Sequence, residues 1–283
     1  MANANRFRLS EEKLEEKSKK IRIDILHAIH QAGKGHIGGA YSIVDVLVSL
    51  YFGSNFSFDP MNPEMETRDR FILSKGHAAI ALYAILADLG FFPSEELTKL
   101  NTGNLLSEHP DPGIPGVEVV SGSLGHGLSI AAGMALANKL DGNERKSLVL
   151  MGDGECYEGS IWEGALFASH HNLNNLCGII DRNRLITHGS TELINRLEPF
   201  KQKWESFGWN VVEVDAHNFK ALRAAWEVFY RGGAQAPTMI IANSVKGKGI
   251  KFMENEFIWH HGGISEDQLK LGLSELKGTE AKC

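Results

Sequence analysis

Residues 147–183 read SLVLMGDGECYEGSIWEGALFASHHNLNNLCGIIDRN. An apolar run ends in Gly152-Asp153-Gly154, a helical pattern fills about 160–171, and a second apolar run ends in Asp181-Arg182-Asn183. Short, uninterrupted apolar runs suit strands buried on both faces. A strand, helix, strand unit needs about 30 residues, and Asn183 stands thirty positions after Asp153. Right-handed crossover makes the two strands parallel, so both side chains emerge at one carboxyl edge, where open α/β sheets bind ligands.

Outward from this unit the same alternation continues. WNVVEVD (209–215) and PTMIIANS (237–244) read as further strands, with a helical pattern at 219–231 between them. In the first half, Ser10 followed by Glu11 and Glu12 starts a helix in which Ile21, Ile25 and Ile29 recur until Gly33. Helical patterns at 42–52, 78–90 and 128–140 each follow a Gly- and His-containing loop. The expectation is an α/β fold: a doubly wound, mostly parallel sheet with helices on both faces, forming one domain over 1–283. Residues 246–264 read as a loop returning over the sheet's edge, and the tail from about 265 to 283 as a helical end.

Composition narrows the function. With 43% apolar and 23% charged residues among 283, the chain is expected to pack as a globular protein. A net charge of −6 without a basic run gives no electrostatic case for nucleic acid. Lys17, Lys19 and Lys20 are answered by nearby glutamates and read as a solvated helix face. No apolar run approaches the roughly 18 residues of a membrane span, and the N-terminus is polar, so a cytoplasmic location off the membrane is expected. Cys156, Cys177 and Cys283 form no pairs with metal-ligand spacing and read as reduced thiols. Thirty glycines cluster at a few points, as where backbone approaches a ligand.

Asp153 and Asn183 offer one carboxylate and one amide oxygen. That suits a hard divalent cation such as Mg²⁺, which takes few ligands from protein and the rest from phosphates and water. The glycines beside Asp153, and the helix start after it, would let backbone amides meet a diphosphate. Taken alone, Asp153 reads more often as a helix cap and Asn183 as a turn residue. Their joint spacing favours the cation.

At these residues the chain resembles a known family. Gly152-Asp153-Gly154 through Asn183 is similar to the thiamine diphosphate motif, and residues from about 8 to 276 resemble the N-terminal half of transketolases. The resemblance implies Asp153, Asn183 and the Leu185 carbonyl as ligands of Mg²⁺, with Mn²⁺ or Ca²⁺ as substitutes. It implies cofactor contacts from Gly154, from Asn183, and from Gly122-Ser123-Leu124, where Ser123 replaces the family's proline and His126 its frequent glutamine. His77 and His261 would neighbour the diphosphate, and His36, His109 and His261 would donate to sugar hydroxyls. His260 leaves the last alignment open by one residue. Three of these four histidines adjoin glycines in loops, where an imidazole of ordinary pKa near 6.5 can shuttle protons. Glu158 and Glu163 resemble a pair near the dimer contact that relays protons between sites; exposed surface glutamates are the plainer reading.

The implied activity is transfer of a two-carbon ketol unit between sugar phosphates. The family's activating glutamate and most phosphate-gripping residues belong to a second half that is absent here, which implies a separate C-terminal subunit in an assembly with two copies of each chain. Competing readings are the α subunit of a 2-oxo acid dehydrogenase, a truncated deoxyxylulose-phosphate synthase, and a non-catalytic homologue. Trp162, Phe167 and Trp259 are candidates for an exposed apolar patch.

Overall fold

The computed structural model describes residues 8–232 and 235–278. Its elements are, in order, α1 (Glu11–Ala32), α2 (Gly38–Tyr41), α3 (Val44–Gly53), β1 (Arg70–Leu73), α4 (Ala79–Leu89), α5 (Gly127–Leu140), β2 (Ser147–Gly152), α6 (Gly159–His170) and β3 (Leu176–Arg182). There follow β4 (Leu185–Ile186), β5 (Gly189–Ser190), α7 (Thr191–Ile194), α8 (Phe200–Ser206), β6 (Asn210–Asp215), α9 (Phe219–Arg231), β7 (Thr238–Asn243) and α10 (Glu266–Lys277). The principal sheet has the order β1-β2-β3-β7-β6, and every pairing in it is parallel.

Alternation along the central strands explains the two layers. Leu148 and Leu150 of β2, Cys177 and Ile179 of β3, and Ile240 and Ala242 of β7 enter one core with α1, α3, α4 and α9. Val149 and Met151, Ile180, and Met239 and Ile241 enter the other, with α5, α6 and α8. Successive side chains of a strand point to opposite faces, so a strand covered on both sides must be apolar throughout. The doubly wound sheet expected from the sequence is therefore present.

The helix limits follow local chemistry. Ser10 accepts from Lys13 N at the start of α1, and Gly33 closes it at φ 77°. Ser265 and Gln268 form a reciprocal capping box on α10. Cys283 lies outside the described residues. The sequence reading missed β1, whose four residues RFIL begin with Arg70 directly after Arg68 and Asp69 and are too short to show a period. It also missed the β4–β5 hairpin and the short helices α2, α7 and α8. The 246–264 segment does cross the ligand edge: Gly247 N donates to Gly38 O at 3.0 Å, and Gly35 and Gly262 form an antiparallel bridge.

The expected apolar patch is only partly exposed. Phe167 is 41% exposed beside Leu166 at 59%. Trp162 instead packs on Trp204 with centroids 5.1 Å apart and donates Nε1–H to Cys156 O at 2.9 Å. Trp259 packs on Phe252 and donates to its carbonyl. Both indoles thus find apolar neighbours and a hydrogen-bond acceptor.

Candidate active site

At the carboxyl ends of β2 and β3 lies a cavity of about 210 Å³ whose lining includes His77, Leu124, Asp153, Gly154, Asn183 and Leu185. Register puts Gly152 beside Asp181, so Asp153 and Asn183 leave adjacent strands at one level. Asp153 is buried; its Oδ2 accepts from Arg184 N at 2.7 Å and Arg182 Nη1 at 3.0 Å, and its Oδ1 from Gly154 N at 2.8 Å. Burial, then the neighbouring Asp181 charge, push its carboxyl above the ordinary range against the pull of Arg182. Arg184 adopts φ 64°, a left-handed kink unusual outside glycine, between the two residues that line the cavity. Asn183 Oδ1 accepts from Leu185 N at 3.0 Å, and Leu185 O accepts from Lys246 Nζ at 3.2 Å.

Behind this wall is a buried charge network that sequence reasoning did not assign. Asp181 accepts from Lys75 Nζ at 2.5 Å, Ser42 Oγ at 2.7 Å, Asn183 Nδ2 at 2.8 Å and Ser244 Oγ. Burial alone would raise its carboxyl; Lys75 and the hydroxyls outweigh that and hold it below the ordinary range. Lys246, also buried, is pushed down to about 8 by burial and then by the Lys75 charge. Glu155 accepts from Ser74 Oγ, Gly125 N at 2.9 Å and Gly152 N at 3.1 Å, tying three loops together. The available signals were Lys75 in SKGH, Lys246 in VKGKG and Asp181 at the end of an apolar strand. Each is a charged residue where neighbours predict burial.

The histidines gather from four loops. His36 lies with ring centroids 5.3 Å from His77, 6.3 Å from His109, 5.3 Å from His260 and 4.5 Å from His261. Between His260 and His261 the structure discriminates: His260 lines the cavity and meets Lys246 Nζ at 3.0 Å, whereas His261 stands outside, 3.0 Å from Glu108. Of the two, His260 is therefore the one that shares the cavity with His77. Burial, then Lys75, keep His77 well below its ordinary pKa. Burial, then Lys246, lower His260 to about 3, and burial lowers His36 to about 4 against the raising effect of Glu108. All three are neutral at pH 7, able to donate one hydrogen bond and accept another.

Other expected residues divide. Gly122, at φ 133°, lets the loop lie on the His109 ring, where a Cβ would come within 2.6 Å of Cδ2. Ser123 is exposed, and only Leu124 of that triplet lines the cavity. Glu163 lies in α6 and Glu158 at its N-cap; both are exposed, and neither lines the cavity.

The residues present fit a divalent cation and a diphosphate. Asp153, Asn183 and Leu185, which offer hard oxygens, line one cavity together with the cationic Lys75 and Lys246 and the imidazoles of His77 and His260. Among the described residues no helix is long and apolar enough to cross a membrane.

Comparison with known proteins agrees. Residues 14–278 match the family model described as "Transketolase, thiamine diphosphate binding domain". An apulose-4-phosphate transketolase subunit from Phocaeicola vulgatus is 41% identical over 267 residues, covering 94% of each chain. A 6-deoxy-6-sulfo-D-fructose transketolase subunit from Clostridium sp. is 41% identical, covering 93% of this chain and 96% of that one. The crystal structure of transketolase from Campylobacter jejuni superposes with TM-score 0.90 at 28% identity, over 97% of this chain but 44% of that longer one. With its fold, its cavity and relatives of matching length named as separate subunits, this chain belongs to the transketolase family as an N-terminal, thiamine-diphosphate-binding subunit.

Proposed function

We propose that the whole chain, 1–283, acts as one cofactor-binding domain of a cytoplasmic two-chain transketolase that moves a two-carbon ketol unit from a ketose phosphate to an aldose phosphate. The observation that carries this reading is the convergence of Asp153, Asn183 and Leu185 with Lys75, Lys246, His77 and His260 on one cavity. Asp153, Asn183 and the Leu185 carbonyl would hold Mg²⁺, and Gly154, His77 and His260 would face the diphosphate. Thiamine diphosphate, when bound, supplies the electron sink for cleaving the bond beside the ketose carbonyl.

The protein's own contribution is placement and proton transfer. His36, His109 and His261 cluster next to the cavity-lining His77 and His260, where imidazoles would hydrogen-bond sugar hydroxyls and pass protons as the bond changes. The buried Glu155, Asp181 and Lys75 would keep the cavity wall fixed through their bonds to Ser74, Gly125, Gly39 and Ser244. Catalysis requires a separate C-terminal subunit, in an assembly of two copies of each, and the exposed Glu158 and Glu163 would relay protons at the contact between chains. The relatives named as subunits support this division.

The test is ketol transfer from xylulose 5-phosphate to ribose 5-phosphate with thiamine diphosphate and Mg²⁺, comparing the chain alone with the chain plus its partner. Activity only in the mixture is expected. Full activity of the chain alone would overturn the two-chain reading, and no transfer in the mixture would overturn transfer from this donor.

A further inference from the structure

Three side chains able to ligate a metal converge outside the cavity that Asp153 lines. Gly35 and Gly262 exchange both backbone hydrogen bonds, at 3.0 Å each. His36 and His261 are therefore the adjoining pair without hydrogen bonds, the position at which antiparallel side chains stand closest, and their rings lie 4.5 Å apart. Glu108 enters from a third loop, with Oε1 3.0 Å from His36 Nδ1 and 3.0 Å from His261 Nε2. That loop is pinned, because Tyr83 Oη and Ser107 Oγ both donate to His109 O, at 2.8 and 2.7 Å. One ligand atom from each of His36, Glu108 and His261 lies within 4.8 Å of the other two, the one such group among the described residues.

The arrangement suits a ligand set better than a hydrogen-bonded triad. His36 Nδ1 is buried without a hydrogen bond, since the Glu108 oxygen 3.0 Å away is out of line with it. Tetrahedral zinc, with bonds of about 2.0–2.1 Å, holds its ligands about 3.3–3.4 Å apart. Entry of the ion asks each of these separations to open by a few tenths of an ångström, which the flexible Glu108 side chain, 33% exposed, can supply. Two imidazoles and one carboxylate, with the fourth position left to water, make an open zinc site. The cation expected at Asp153 and Asn183 is of another kind: Mg²⁺ takes an oxygen shell, whereas imidazole suits zinc and its transition-metal neighbours. None of His36, Glu108 and His261 lines the Asp153 cavity, although His36 lies 5.3 Å from both His77 and His260, which do.

We propose that His36, Glu108 and His261 form a second cation site beside the cofactor cavity, selective for Zn²⁺ or a similar transition-metal dication over Mg²⁺. Under the transketolase reading, on which this consequence alone rests, the bound ion takes imidazoles assigned to the sugar hydroxyls and competes with the ketose.

The experiment titrates Zn²⁺ into the full chain at pH 7.5 against a chromophoric chelator, with Mg²⁺ and thiamine diphosphate held in excess, and repeats the titration with His36→Asn, His261→Asn and Glu108→Gln. One equivalent bound with micromolar or tighter affinity is expected, weakened at least about 100-fold in each histidine variant and about tenfold or more in Glu108→Gln. Co²⁺ in place of zinc should give the visible absorption of a four-coordinate site and lose it in the histidine variants. The three side chains are 16%, 33% and 38% exposed, so the variants are expected to fold, and circular dichroism checks this. Absence of a micromolar equivalent in the wild-type chain, its displacement by Mg²⁺, or an affinity within about threefold of wild type in all three variants overturns the inference. Zinc binding is read without turnover, so failure of the transketolase reading would show separately, as a two-chain assembly inactive in zinc-free Mg²⁺, and would leave the ion site standing.

Discussion

Replacing Asp181 with alanine should strand a buried ammonium. Lys75 and Asp181 have side chains 2% and 1% exposed, and their charged atoms lie 2.5 Å apart. Breaking such a pair from one side costs about 3–5 kcal/mol, because the remaining buried charge keeps only the Gly39 carbonyl, 3.0 Å away, as acceptor. Ser244 and Asn183 Nδ2 lose this acceptor at the same time, while Ser42 Oγ keeps Gly39 O at 3.0 Å. For a chain of this size each kcal/mol lowers Tm by about 2–4 °C, so a fall of roughly 10 °C is expected, read by circular dichroism at pH 7.5. The double variant Asp181→Ala/Lys75→Met removes both charges and should recover more than half of the loss. The pH sign follows from the depressed Asp181 carboxyl: its stabilisation is present above the ordinary aspartate range and is lost as pH falls through its lower folded value. The gap between wild type and Asp181→Ala should therefore close only in acid, below about pH 4. A Tm within 3 °C of wild type, equivalent to about 1 kcal/mol, or a double variant no more stable than Asp181→Ala, would refute the reasoning.

Asp153→Ala should weaken Mg²⁺-dependent thiamine diphosphate binding by at least about 100-fold in a fluorescence titration; an affinity within threefold of wild type would remove it from the ligand set. His36 and His260, at about 4 and about 3 in the folded chain, take up protons only after unfolding as pH drops from about 6.5. Their contribution to stability is therefore full above that pH and falls as pH approaches 4, so Tm should drop in this window. His36→Asn and His260→Asn should each flatten the drop, and an unchanged slope in both would contradict it. Gly127→Ala puts a Cβ 2.3 Å from Ser74 Oγ and 3.1 Å from its Cα, displacing the hydroxyl that serves both Glu155 and Gly127 N. A loss of about 1–3 kcal/mol is expected by denaturant titration, and a neutral result would show that the α5 start shifts freely.

The central strands were legible because burial on both faces leaves an uninterrupted apolar run, and the thirty-residue interval from Asp153 to Asn183 is a property of the crossover itself. β1 was not legible, since four residues directly after Arg68 and Asp69 carry no period. At the site, residues next to glycine could be read as ligand-facing, and His36 and His77 do join one cluster. The choice between His260 and His261 could not be read, because adjacent residues in an extended or turning segment point to different sides, and only the Gly35–Gly262 bridge fixes which side faces Lys246. Lys75, Asp181 and Glu155 escaped because a buried charge shows in sequence only through partners that are distant along it. Asp181 is 106 positions from Lys75 and 139 from Ser42.

Arg182 shows why such partners matter for the site itself. Its guanidinium is 1% exposed and meets Asp153 at 3.0 Å, Glu192 at 2.7 Å and Glu198 at 2.9 Å, with Thr191 Oγ1 at 2.9 Å. One cation shared among three carboxylates cannot neutralise each fully, and Asp153 is the most deeply buried of the three. Asp153 thus keeps a carboxyl displaced upward by burial and by Asp181, and a second positive charge in the cavity would be met by a carboxylate already fixed by two backbone amides. The same guanidinium ties that carboxylate to the segment carrying Leu193, 89% exposed, and Ile194, 50% exposed. The candidate metal ligand and this exposed apolar pair are therefore held by a single buried side chain, so the loop's geometry is set by the folded chain's own charges before any ligand arrives.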